Sequence, residues 1–132
     1  GLDLTHTRGD MFRAALEGIA LATRHILETY AEAGQSPRSI HAVGGGTKST
    51  VWREATSNAC NVSQVLREKS WGASFGDAFL AALAVGDVKP GDMAQWNPAV
   101  AEIKPDPATR GLYDAQYRRF RALYEATRPL LG

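Results

Sequence analysis

From about Thr7 to Ala33 the apolar residues Phe12, Leu16, Ile19, Ala20, Ile26, Leu27 and Tyr30 return at helical spacing, which predicts a long helix with one buried face. Thr7 followed by Asp10 offers a cap and a negative charge at its start, and Gly34 offers the stop. Ile40 to Val43 reads as a short strand that breaks into Gly44-Gly45-Gly46. A second helix is expected from Thr47 or Ser49 to Ala59, with Trp52, Ala55 and Ala59 on one face. A short strand near Ser63 to Leu66 precedes a third helix, Ala73 to Val85, whose many small residues permit close packing. Beyond Gly86, Asp87 to Asp92 carries turn chemistry and opens a connector through Met93 and Trp96 to Asn97-Pro98. Ala99 to Lys104 alternates weakly and is read as extended, and Asp106-Pro107 is read as a cap followed by proline at the first helical position. Tyr113, Tyr117, Phe120, Tyr124 and Thr127 then form a stripe of near-helical period, read as core in a helix that clamps back over the domain. The order is helix, strand, helix, strand, helix, linker, helix, an α/β pattern without internal repeats.

Composition adds limits. A chain of ~130 residues buries about two-thirds of its unfolded surface when it is a complete domain, so one domain is the expected count. Lysine and arginine exceed aspartate and glutamate by one, and no basic run is longer than Arg118-Arg119, which argues against nucleic acid. Cys60 is the only cysteine, which excludes an internal disulfide and makes a reduced, cytoplasmic setting the default. Its expected role is that of a small apolar residue on a helix. His6, His25 and His41 lack metal-ligand spacing, so no metal site is expected, and His41 is read as packing within its strand. No stretch reaches the apolar length of a membrane helix and no signal-peptide pattern opens the chain. The first residues, Gly1-Leu2-Asp3-Leu4, lack an initiator methionine, which fits a piece of a longer chain.

The chemistry concentrates at the glycines. A strand that breaks into glycines and then a helix is the layout of a nucleotide site: glycine lets the backbone approach a ligand, and the first N–H groups of the next helix attract anionic oxygens. Two phosphate motifs fail here. The P-loop requires glycine immediately before its lysine, where Thr47 precedes Lys48, and the dinucleotide fingerprint requires glycine where Ser49 stands. The triplet alone is equally a plain strand-to-helix turn.

A set of motifs in fixed order gives the loop a context. Thr7-Arg8, Arg13-Ala14 and Glu17-Gly18 lie in the first helix, followed by Val43 to Ser49 and Trp52-Arg53. Gly72 to Ala82 comes next, and Tyr113, Tyr117 and Tyr124 follow Pro105-Asp106-Pro107. In order and spacing the chain resembles the end of an FGGY carbohydrate kinase, nearest to xylulokinase-like members. The resemblance implies a ribonuclease H-like fold of the actin and hexokinase type, with residues 1–132 as a helix-rich later part of the C-terminal nucleotide-binding domain. The strands that begin such a domain would be absent, leaving an exposed sheet edge or apolar face. It also implies ATP and Mg²⁺ as cofactors, the metal held mainly outside this segment. The implied reaction is phosphorylation of a sugar or polyol hydroxyl, with the acceptor bound through the missing N-terminal domain. A homodimer is compatible with it. Gly44, Gly45, Gly46, Thr47 and Thr50 are the implied cofactor-binding residues, with Gly45, Gly46 and Thr50 nearest adenosine and its first phosphate. Thr50 stands where glycerol-kinase-like members carry asparagine, and Thr47 where alanine is frequent. The family's catalytic aspartate lies in preceding sequence, so no catalytic residue is assigned here. A non-catalytic nucleotide-binding or assembly module of the same fold is the alternative.

Several other side chains have two readings. Glu17 is read as a structural hydrogen-bond partner of a neighbouring loop rather than an acid catalyst, and Arg8 as a salt-bridge former rather than a phosphate contact. Thr47, Ser49 and Thr50 can each cap the helix or meet ribose and phosphate. Lys48 is read as a surface lysine. Gly72 and Gly76, one turn apart, admit a strand or an adenine ring. Asp77 is read as solvated or paired with Arg53 or Lys69 ahead of a ribose contact, and Trp71 as core ahead of a stacking platform.

Overall fold

The computed structural model describes residues 1–130. Helix α1 spans Arg8–Glu32, β1 Ser39–Ala42, α2 Thr50–Cys60, β2 Ser63–Arg67, α3 Ala73–Ala84, α4 Met93–Trp96, β3 Ala99–Ile103 and α5 Arg110–Thr127. The expected caps of α1 are present. The Thr7 side chain accepts from the Asp10 amide while the Asp10 carboxylate accepts from the Thr7 amide, and Gly34 takes φ +79° just beyond the last turn. Asn61 ends α2 in the left-handed region at φ 52°, a conformation asparagine tolerates better than most residues.

The strands form one sheet in the order β1-β2-β3. β1 and β2 run parallel, with Ser39 opposite Ser63 and Ala42 opposite Leu66, as a strand–helix–strand crossover through α2 requires. β3 pairs antiparallel with β2, Gln64 opposite Ile103, with an irregularity between Leu66 and Arg67. The element order read from sequence stops at a linker here; the weakly alternating segment is a strand because β2 offers it an edge. The far edge of β1 pairs with no strand among the described residues.

The core lies where α1, α2 and α5 meet: Ala20 and Leu21, Ala55 and Ala59, Tyr113 and Tyr117, with Phe120 packed against them. Alanines at the α1–α2 contact let those helices approach closely, and Tyr113, Tyr117 and Phe120 of the α5 stripe close over them as its period predicts, whereas Tyr124, read as core with them, is 43% exposed. Polar ties reinforce the seam. The Tyr113 hydroxyl donates to Glu17 at 3.2 Å, and the Tyr117 hydroxyl to Glu28 at 2.6 Å. Arg24 donates to Asp114 at 2.8 Å. Glu17 is therefore structural as expected, though its partners are Arg13 and a helix rather than a loop.

Expectations about burial fail in part. Of the face expected to be buried on α1, Ala20 is buried and Leu16 and Leu27 are half-buried, but Phe12, Ile19, Ile26 and Tyr30 are 50–63% exposed; α2 docks on the side that carries Ala20 and Leu21. Trp71, read as core, is 69% exposed. The aromatic core on α3 is Phe79, which meets Trp96 edge-on at 5.2 Å and contributes about 2–3 kcal/mol by burial. No helix among the described residues is long and apolar enough to cross a membrane.

Candidate functional site

The chain leaves β1 at Ala42 and turns at Gly44, whose φ of 86° and ψ of −176° belong to a region open essentially to glycine alone. Its amide donates to the Ser70 carbonyl at 2.9 Å, tying this turn to the segment that follows β2. Gly45–Lys48 then form a single 3₁₀ turn, and Ser49 caps α2 by accepting from the Trp52 amide at 3.3 Å. Of the two expected helix starts, Thr47 and Ser49, the structure rules out Thr47: glycine-rich backbone tightens into a separate turn, and α2 begins at Thr50 with Ser49 as its cap.

Each implied contact residue has a distinct place in this turn. The Thr47 hydroxyl points inward and donates to the Gly44 carbonyl at 2.7 Å. Thr50 is exposed, and its hydroxyl accepts from the Arg53 guanidinium at 3.0 Å. A 3₁₀ turn bonds each N–H three residues back, and the first such bond here is from Thr47 to Gly44 at 3.2 Å. The N–H groups of Gly45 and Gly46 therefore have no partner within the turn. Gly45 is exposed with open space where a side chain would project. Gly46 differs: a Cβ there would overlap the benzo ring of Trp52. Its lack of a side chain is accounted for by that indole.

A buried relay fixes the helix behind the turn. The Gln64 side chain, 3% exposed, donates to the Arg53 carbonyl and to the Ser57 hydroxyl at 2.8 Å, and Ser57 donates to the Ile103 carbonyl at 2.9 Å. One glutamine on β2 thereby joins α2 to β3.

Beside the turn, at the carboxyl ends of the parallel strands, lies a groove of about 310 Å³. His41, Val43, Arg67, Lys69, Gly72 and Phe75 are among the residues that line it. Ligands of open α/β sheets sit outside such strand ends. Gly72 and Gly76 both have open space where a side chain would project, and no strand approaches them among the described residues. His41 does not pack within its strand; it is exposed, with Nδ1 3.3 Å from the Arg67 guanidinium. Exposed Trp71 stands at the helix start with Lys69 5.7 Å above its ring. Asp77 is exposed and, with Arg8 and Lys48, takes part in no ion pair among the described residues.

Burial pushes the Cys60 thiol up to about 12 against the opposing pull of Arg24, so at neutral pH it is held as the weakly reactive thiol. Sequence reasoning missed Ser70 and Trp52 as supports of the glycine turn, since neither contact follows from periodicity: one joins two strand ends, the other reaches back across the turn.

Comparison with known proteins gives these features a setting. Residues 1–85 match the C-terminal domain of the FGGY family of carbohydrate kinases. The chain is 30% identical to a xylulose kinase of Staphylococcus epidermidis over 132 residues, covering 98% of this chain and 27% of that protein. It is 33% identical to the xylulose kinase of Bacillus subtilis over 86 residues, covering 65% of this chain and 17% of that protein. The crystal structure of xylulose kinase from Rhodospirillum rubrum superposes with a TM-score of 0.84 at 37% identity, over 98% of this chain and 27% of that one. The chain thus spans about a quarter of the length of its full-length relatives and carries the actin/hexokinase-type fold of the sugar kinases.

Proposed function

The chain belongs to the FGGY family of carbohydrate kinases, and from that premise we propose that it is the adenosine-binding part of the nucleotide domain in a full-length kinase. The kinase transfers the γ-phosphoryl group of ATP to a sugar or polyol hydroxyl. The observation that carries this reading is the pair of N–H groups at Gly45 and Gly46 that have no partner among the described residues, in a turn that is open at Gly45. Unpaired backbone donors at a helix entrance suit the anionic oxygens nearest adenosine. Gly44 and Thr47 shape the turn, and Thr50 stands exposed at the start of α2 for a side-chain contact.

The chain's own contribution is positioning. Phosphoryl transfer depends on in-line geometry and charge stabilisation more than on covalent protein chemistry, so a wall that only orients adenosine still adds to rate. Magnesium neutralises charge on the phosphates being transferred. In this reading the metal is held mainly by parts of the kinase outside this segment. The acceptor hydroxyl and the group that removes its proton belong to the rest of the protein in this reading. The exposed apolar stripe of α1 and the free edge of β1 support a chain that packs against further parts of its own domain. A cytoplasmic setting follows from the need for ATP.

The test is an assay of the full-length protein with Mg-ATP against a panel of pentuloses, pentoses and polyols. Phosphorylation of one or more is expected; failure on all of them, with intact fold, contradicts the proposal.

A further inference from the structure

Three contacts close a circuit around the turn. The Ser49 amide donates to the Gly46 carbonyl at 3.0 Å, the Trp52 amide donates to the Ser49 hydroxyl, and the Trp52 indole returns to cover Gly46 where its Cβ would be. The indole is half-buried and lines a small cavity of about 130 Å³ behind the turn with Ile40, Ala42 and Thr47. Its Nε1 is buried without a hydrogen-bond partner. A buried donor left unpaired carries a desolvation cost, so hydrogen bonding does not explain why a tryptophan stands here. What the ring does is fill the space under Gly46 and block that glycine from moving inward.

We propose that Trp52 is the positioning residue of the nucleotide turn: its indole, seated on Gly46, holds the Gly45 and Gly46 N–H groups in the direction a nucleotide needs. The inference rests on the nucleotide reading of the turn. It makes Gly46 and Trp52 a matched pair, the glycine being required because the indole is there. Removing the ring lets the turn sample other directions, and adding a methyl group to Gly46 displaces the ring.

The test is a titration of the full-length protein with Mg-ADP, using wild type, Trp52→Phe, Trp52→Ala, Gly46→Ala and the double variant. Trp52→Ala and Gly46→Ala should each weaken binding roughly tenfold, the loss of about 1.4 kcal/mol of binding free energy, with Trp52→Phe between them and wild type. The double variant should bind no worse than Trp52→Ala, because the methyl group then has room; such non-additivity marks a contact pair. In steady-state assays the KM for ATP should rise by more than kcat falls, while the KM for the sugar holds, a split that general loosening of the fold would not produce. Wild-type affinity in both Trp52 variants, or strict additivity in the double variant, overturns the inference while leaving the nucleotide reading in place. Absence of Mg-ADP binding by wild type removes both.

Discussion

The Gly44 amide donates to the Ser70 carbonyl at 2.9 Å, so one hydrogen bond ties the turn after β1 to the segment after β2. That bond needs a backbone direction set by φ 86° and ψ −176° at Gly44. Gly44→Ala forces a side chain into this region at a cost of roughly 1–3 kcal/mol. A lower melting temperature is expected, together with faster hydrogen exchange at both strand ends; unchanged exchange near Ser70 would show that the two turns are not coupled.

Gln64 holds α2 to the sheet through the Arg53 carbonyl and Ser57. Truncation in Gln64→Ala leaves buried polar groups unpaired, a loss of about 2–3 kcal/mol. Hydrogen-exchange mass spectrometry should find lost protection in α2 and β3 with α5 little changed. Protection in α2 equal to wild type would place the anchoring elsewhere.

The Arg24 guanidinium hydrogen-bonds Asp114 and holds its carboxyl below the ordinary value of 3.8. A depressed carboxylate contributes stability that is present above the unfolded value and lost as pH falls through the folded one. Docking of α5 on α1 should therefore loosen below about pH 4, and Asp114→Asn should lower stability at neutral pH while flattening that acid limb. Parallel pH–stability curves for the two proteins would refute the assignment.

Cys60, its thiol pushed up to about 12 by burial, should resist alkylation by iodoacetamide at pH 8, where an ordinary free thiol reacts readily. Rapid labelling in folded protein, monitored by mass, would mean that the end of α2 opens.

Local chemistry was legible in the sequence where a residue acts on its own neighbours. Thr7, Asp10 and Gly34 bound α1 as their types require, and the strand-glycine-helix order located the turn. Partners distant in the chain were not legible. The period that makes Phe12, Ile19 and Ile26 a stripe says that a face is apolar, without saying which neighbour covers it, and in this chain α2 docks beside it on Ala20. Trp71 misled for a related reason: large apolar residues are usually core, yet this one follows a strand end where only Lys69 and Phe75 stand beside it and 69% of it stays exposed. The glycine triplet reads as one motif but divides by physics. Gly44 serves its dihedrals and Gly46 the Trp52 ring, whereas Gly45 faces open space without a positive φ, so neither reason accounts for it.

That division selects the measurement that tests the central claim most directly: a Mg-ADP titration of the full-length protein, comparing wild type with Gly45→Val. The added side chain points into open space, so folding stability should change by no more than about 0.5 kcal/mol, as for other exposed substitutions. If the turn holds adenosine and its nearest phosphate, wild type binds Mg-ADP and Gly45→Val loses at least roughly tenfold in affinity with its melting temperature intact. Equal binding by both proteins, or none by wild type, would make the glycines a strand-to-helix turn and nothing more.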